Sequence, residues 1–404
     1  MRRRGVYLTV LQAFLTVSLP ALAYAGAAPA PPSAAWRPDS GDTAWLLASA
    51  ALVLLMTPGL AFFYGGLVRR KNVLSLLMQC FAAICMVTIQ WIAFGYSLAF
   101  GPDVHGLIGN LDWAWLAGVG AEPNPAYAAT VPHEAFMVFQ LMFAIITPAL
   151  IVGAFAERMK FSAFCVFAFL WATLVYDPVC HWVWGAGGWL RAKGALDFAG
   201  GTVVHVNAGL AALAAALVLG KRSGYPETVP PPHNLPFAVL GAGILWFGWF
   251  GFNAGSALGA GSLAVGAFVA THAAAAAGGA TWATFDWIFN SRPTALGTIT
   301  GVVAGLVAIT PAAGFVSAAG ALATGLFAAK AVNPSGADGL LNGNPGQLLV
   351  QAGAVLIVAA YSFVASLVLL KIVDAVVGLR VSEREERLGL DLTQHRETGY
   401  TVLE

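Results

Sequence analysis

The sequence predicts an all-α polytopic membrane protein, and three observations carry that reading. Hydrophobic residues make up 59% of the 404 positions and charged residues only 10%, whereas a soluble domain carries about 25% charged residues. The apolar residues gather in ten runs, most of them near the ~20 residues that a helix needs to cross a hydrocarbon layer. Most Lys and Arg residues lie between those runs or beyond them. The net charge of +1 gives no reason to expect a nucleic-acid partner. The four cysteines, Cys80, Cys85, Cys165 and Cys180, sit in or beside apolar runs without zinc or redox spacing and read as small apolar fillers. No metal and no cofactor is expected.

At the N-terminus, Arg2-Arg3-Arg4 precedes an apolar core to about Leu19, then Pro20 and Ala23-Tyr24-Ala25. This is a secretory signal pattern over 1–25, with a retained first helix as the alternative. Residues 26–42 then form an exposed mature N-terminus. Five spans are expected near 43–67, 73–100, 134–155, 161–175 and 200–219, making one half over 43–219. Four more are expected near 237–255, 262–289, 296–313 and 315–332, an incomplete second half over 237–332. A last span near 348–373 precedes a tail over 374–404. Glycine is abundant, at 46 residues, and its small-xxx-small spacing suits close helix packing.

Basic residues set the expected orientation. Arg69, Arg70 and Lys71 follow the first span and place that end in the cytoplasm. The stretch 101–133 has no Lys or Arg, as an outer loop should. Arg158, Lys160, Lys221, Arg222 and Arg292 then fall inside, while Arg191 and Lys193 fall outside as exceptions. The rule holds through the eighth span and then breaks. Ten crossings place both ends outside, yet the tail carries Lys371, Arg380, Arg384, Arg387 and Arg396, which read as cytoplasmic. An odd number of crossings is needed.

Ile146-Thr147-Pro148-Ala149 recurs as Ile309-Thr310-Pro311-Ala312. The copies lie five spans apart, hence in opposite orientation, which suggests an inverted repeat. Only two spans follow Pro311 where the symmetry asks for three. Parity and symmetry both point to a stretch missing after Ser317.

The polar chemistry begins with Asp197-Phe198-Ala199-Gly200-Gly201-Thr202-Val203-Val204-His205, which opens the fifth span. An ionisable group inside a span is costly, by about 2.5–3.5 kcal/mol for a central Asp, and usually faces a protein interior or a permeation path. Gly201, His205 and Gly209 share one helix stripe at i, i+4, i+8. His205 is either a satisfied core histidine or a pore residue. In the sixth span Trp249, Phe252 and Ser256 fall at i, i+3, i+7. Two aromatics and a hydroxyl on one face suit either packing at an interfacial belt or a small cation held by cation–π attraction. The third span offers Phe139, Gln140 and Phe143, and Trp184 sits near the outer side. Asp286 and Glu157-Arg158 read as structural ion pairs near the inner side. Asp177 and His181 are expected in an outer loop, fixing the loop or a helix end.

These residues together resemble the bacterial Amt branch of the Amt/Mep/Rh ammonium transporter family. The resemblance rests on Phe62-Phe63-Tyr64-Gly65-Gly66-Leu67-Val68-Arg69, Gly153-Ala154-Phe155-Ala156-Glu157-Arg158, the 197–205 motif, Pro232-His233-Asn234-Leu235-Pro236, the run from Gly248 to Ser256, and Val377-Gly378-Leu379-Arg380-Val381. It implies an inverted-repeat bundle with a family pattern of eleven spans, about ten of them visible here, assembled as a homotrimer in the bacterial inner membrane. The mature N-terminus would lie outside and the tail inside. It implies that Trp184, Phe143, Ser256 and Asp197 form a vestibule for ammonium. Phe143 and Phe252 would close the pore, His205 would relay protons within it, and Trp249 and Gln140 would support the site. Ammonium would be recruited and deprotonated, and ammonia would pass inward, with the tail receiving PII signalling proteins in nitrogen utilisation.

The chain departs from the family at one place. The family's second pore histidine sits in a Gly-x-His-Gly motif of the tenth span, and no such motif exists here. Ser317 runs into Gly320-Ala321-Leu322-Ala323-Thr324-Gly325, which resembles the second half of that span. One span, a loop and the histidine-bearing half-span are missing. The 315–332 run is then either a crossing or a re-entrant segment that keeps the tail inside. Three functional readings follow: a transporter, a non-conducting ammonium sensor acting through PII proteins, and a defective product. An enzyme is not expected, because the chain has no nucleotide motif, nucleophile–base pair or metal cluster.

Overall fold

The computed structural model describes residues 37–228, 230–317 and 331–400. The signal pattern over 1–25, most of the N-terminal 26–42 and most of the 315–332 run lie outside the described residues. Among the described residues eight helices are long and apolar enough to cross a membrane: α1 (Ser40–Leu67), α2 (Arg70–Phe100), α3 (His133–Phe155), α4 (Phe161–Ala192), α5 (Gly201–Leu219), α6 (Leu235–Ala257), α7 (Ser262–Asn290) and, after a shorter apolar α8 (Ala295–Ile309), α9 (Pro345–Val376). A short α10 (Glu383–Leu388) lies in the tail. Two-residue strands β1 (Asp103–Val104) and β2 (Ile108–Gly109) form an antiparallel hairpin in the loop after α2.

Helix α3 is the axis of the bundle and is almost wholly buried, whereas α7 and α9 bury only about a third of their apolar windows. Large apolar side chains such as Leu217, Val265, Phe289, Leu349 and Leu356 point outward. In water so much exposed apolar surface would drive association, and in a bilayer it meets lipid. Without a hydrophobic drive between helices, close packing must come from small residues. Helices α1 and α6 approach through Gly241, where a β-carbon would collide with the Phe63 nitrogen. Helices α7 and α8 meet in the same way, with Gly278 against the Gly301 carbonyl.

Four spans are wound locally as π-helix, at Trp91–Gly95, Ala172–Tyr176, Gly201–Val206 and Phe250–Ala254. Such turns shift side-chain faces and often mark functional sites. The turn in α4 also corrects one expectation. Asp177 and His181 do not lie in an outer loop. The helix continues past Tyr176, and both residues are fully buried on its next segment, Asp177–Trp184. Their side chains find partners inside the bundle: Gln90 donates to Asp177 at 2.7 Å, and His181 bonds the Ala99 carbonyl and Asp103. Asp286 makes no ion pair among the described residues. It accepts hydrogen bonds from Thr294 and Asn290 and closes the α7–α8 turn. Glu157 is paired, but with Arg69 at 2.9 Å rather than with its neighbour Arg158.

The two described flanks of the 318–330 stretch lie close together. Ser335, beyond the undescribed 318–330, lines the same cavity as Phe315, and a β-carbon at Gly336 would lie 2.8 Å from the Phe315 ring. Both flanks of that stretch therefore sit on the face that carries the β1–β2 loop. The tail emerges on the face of Arg69, Arg158 and Arg222.

The tail folds back along that face. Lys160 and Arg158 pair with Leu379 and Val381 through backbone bonds of 2.8 and 3.0 Å. Arg380 donates to the carbonyls of Leu219 and Lys221 at the end of α5 and to Glu386. Asn72 receives the Leu390 N–H, and Asp391 accepts from the Ser75 N–H. His233 and Tyr400 close the row at 2.8 Å.

Candidate functional site

The site starts from the cap of α5. Asp197 Oδ1 accepts from the N–H groups of Gly200 and Gly201 at 2.9 and 2.7 Å, and Oδ2 from Thr202 and Val203 at 2.9 and 3.0 Å. The N–H groups of a first helical turn have no intrahelical partners, and the helix dipole favours a negative charge there. One carboxylate satisfies four of them at once. The geometry requires Gly200, whose φ of 106° is one that side-chain-bearing residues rarely adopt.

The cap is locked from two sides. The Trp184 indole donates to the Asp197 carbonyl at 2.8 Å. The Pro311 carbonyl accepts the Phe198 N–H at 3.2 Å, and the Pro311 ring fills the space beside Gly201, where a β-carbon would lie 2.5 Å from it. The repeated Ile-Thr-Pro-Ala thus has two settings. Its first copy lies within continuous α3, and its second forms the turn after α8. In both copies the threonine hydroxyl donates four residues back, Thr147 to Phe143 and Thr310 to Leu306.

Beside the cap a cavity of about 420 Å³ opens toward the β1–β2 loop, lined among others by Trp184, Asp197, Ser256, Gln140 and Arg191. Beneath it runs a continuous column of rings. Trp184 meets Phe143 edge-on at 5.8 Å, Phe143 meets Phe252 at 4.4 Å, and His205 stacks on Phe252 at 5.8 Å and 19°. Trp249 lies 5.4 Å from His205 and 5.6 Å from Phe252. Phe143 and Phe252 are fully buried. The sequence-predicted residues are therefore brought together, each contacting another of the set or lining the cavity.

The π turn at Phe250–Ala254 alters the expected face in α6. Ser256 turns its hydroxyl onto the Phe252 carbonyl at 2.8 Å, which leaves its oxygen free to accept. Gln140 Oε1 and His205 Nε2 are buried without partners among the described residues. Buried polar atoms are nearly always paired, so both retain hydrogen-bonding capacity inside the bundle. Sequence reasoning missed two contributors. Thr310 accepts the Trp249 indole N–H at 2.9 Å and so fixes the ring beside His205. Arg191, read as a charge exception, lines the cavity with its guanidinium held on the Trp184 carbonyl at 2.7 Å. Only the repeat hinted at Thr310, and nothing local marked Arg191.

The fold and site define a multi-pass helical membrane protein with a cavity on one face and a column of buried rings beneath it. The chain belongs to the Ammonium Transporter Family, whose pattern matches residues 44–333 and 317–400. It is 48% identical to the ammonium transporter of Bacillus subtilis, covering 89% of this chain and 98% of the relative. It is 45% identical to ammonium transporter Amt1 of Archaeoglobus fulgidus, covering 90% of this chain and all of the relative. The crystal structure of Candida albicans Mep2 superposes with a TM-score of 0.80 at 35% identity, over 86% of this chain and 88% of that one. A structure titled Sensor Amt Protein superposes with a TM-score of 0.79 at 27% identity, over 88% of this chain and 98% of that one.

The alignments also bear on the missing stretch. The Bacillus subtilis match runs over 402 positions but spans 89% of 404 residues here, about 360. About 40 positions of the relative thus have no counterpart in this chain. The two family matches overlap at 317–333, where the sequence places the gap.

Proposed function

We propose that this protein transports ammonium across the bacterial inner membrane, recruiting the cation at the vestibule and passing ammonia along the ring column into the cytoplasm. The observation that carries the reading is the unbroken series Trp184, Phe143, Phe252, His205. An aromatic face attracts a cation by about 0.5–1 kcal/mol when exposed and 2 or more when desolvated. Ser256 and Gln140 offer acceptor oxygens in the same cavity. The dry section between the phenyl rings opposes a charge, so the proton must leave ammonium before it. His205 supplies the imidazole of the column, and a neutral imidazole can accept or donate a proton. Asp197 serves through its fixed negative field, since its four N–H bonds occupy both oxygens.

In this proposal the protein is a homotrimer, the tail face is cytoplasmic, and the folded-back tail is the surface offered to PII proteins. A second reading, a non-conducting ammonium sensor, is favoured by the stretch missing after Ser317 and by His205 Nε2, which has no partner among the described residues. The test is methylammonium uptake in cells lacking other ammonium transporters, with reporter fusions at the C-terminus to fix its side. Saturable uptake lost in His205→Ala supports transport. No uptake from protein present at normal membrane levels overturns it, and ammonium-dependent PII binding in that case supports the sensor.

A further inference from the structure

We propose that the tail-side face holds a site for a phosphate group, in the small cavity between the Arg69–Glu157 pair and the loop before α6. The cavity measures about 70 Å³, and its lining includes Arg69, Arg222, Ser223, Tyr225, Thr228 and Glu157. A space of this size suits a compact oxyanion.

Two guanidiniums and three hydroxyl-bearing residues make this a donor-rich enclosure, the kind that recognises phosphate by charge-assisted hydrogen bonds. Arg69 Nη2 is buried without a partner among the described residues. One oxygen of the carboxylate in the wall is engaged. Glu157 Oε1 accepts from the Arg69 N–H at 2.8 Å, Arg69 Nε at 2.9 Å and Asn72 Nδ2 at 2.9 Å, and Oε2 faces Arg222 at 3.7 Å.

The neighbourhood carries uncompensated positive charge. Arg158, next to Glu157, is 6% exposed, its Nε has no partner among the described residues, and its Nη1 donates to the Ala156 carbonyl at 3.2 Å. Arg69, Arg158, Arg222 and Arg380 stand against Glu157 and Glu386. Burial, and then Arg222 and Arg380, pull the Arg158 guanidinium down to about 10. A buried charge is stable only when paired, and a bound dianion would balance the excess. The same loop holds the tail, because the Ser223 N–H donates to buried Glu386 at 2.6 Å. Filling the cavity therefore fixes the loop that fastens the tail.

The phosphate could come from solution or from an anionic lipid headgroup. The test uses the full-length protein in nanodiscs of phosphatidylcholine, titrated with inorganic phosphate against chloride of matched ionic strength and followed by phosphorus NMR and thermal stability. Phosphate is expected to bind and raise Tm, with affinity at least tenfold weaker in Arg222→Glu and severalfold weaker in Tyr225→Phe. The Arg222 side chain is 44% exposed, and the Tm of the variant without phosphate checks that its fold stands. A second arm adds phosphatidylglycerol. Retention of that lipid by the wild type over Arg222→Glu, with loss of free-phosphate binding, assigns a headgroup. Unchanged phosphate binding in its presence assigns a soluble ligand. No binding in either arm, or equal binding by wild type and both variants, overturns the site.

Discussion

The ring of Pro311 occupies the space that Gly201 leaves empty, so closely that a β-carbon at Gly201 would lie 2.5 Å from its nearest atoms. This contact sets the second Ile-Thr-Pro-Ala turn against the α5 cap, and it joins residues 110 positions apart. Gly201→Ala must push either the turn or the cap aside, and overpacking typically costs about 1–3 kcal/mol. The expected result is a lower Tm in detergent and loss of substrate binding at the vestibule. A variant with wild-type Tm and uptake would show that the contact is not tight.

Asp197→Asn keeps the shape of the cap but leaves one oxygen where two accepted four N–H bonds. Each buried donor left unsatisfied costs about 1–3 kcal/mol, so stability should fall by roughly 2 kcal/mol or more. Uptake should disappear together with the fixed negative field. Denaturation and methylammonium flux measured on the same preparation check both, and wild-type flux in this variant refutes the electrostatic role given to Asp197.

Phe252 carries contacts to Phe143, His205 and Trp249 at once. Phe252→Ala opens a cavity in the column, at a cost of about 3–5 kcal/mol, and on the proposed function admits water there. Flux should then lose its selectivity for ammonium over other small cations, read as ion-dependent current in reconstituted membranes. Phe252→Tyr, which retains the ring, should keep most of the wild-type selectivity.

The Glu157 clamp should give the tail face an acid limit. Burial pushes the Glu157 carboxyl up, but the bonds from the Arg69 N–H, the Arg69 guanidinium and Asn72 more than offset it, and the group titrates below its ordinary 4.5. Its contribution is therefore complete above that ordinary value and is lost as pH falls through the lower folded one. Breaking such a buried pair costs on the order of 3 kcal/mol. Glu157→Gln should lower Tm at neutral pH and flatten its fall in acid, measured in detergent between about pH 7 and pH 3.

What the chain alone determined is what depends on composition and short spacing. A bilayer excludes unpaired backbone groups, so long apolar runs must be helices, and α1, α3, α5 and α7 begin within three residues of their expected positions. The motif from Asp197 to His205 already showed a carboxylate at a helix start and an imidazole one turn in. The residue set of the column was legible because the family's motifs are long and ordered.

Tertiary structure decided the rest. The continuation of α4 through Asp177 and His181 could not be read, because polar residues break a hydropathy pattern while partners such as Gln90 and Ala99, some 80 residues away, make their burial tolerable. Stripe arithmetic at 3.6 residues per turn missed the π windings that re-aim His205 and Ser256. The face along which the tail lies follows from the bonds of Arg380, Leu390 and Tyr400 to distant segments, a juxtaposition that no local pattern encodes. Spacing along a chain fixes which face of a helix a residue occupies only where the winding stays regular. Only packing between distant segments fixes what that face meets.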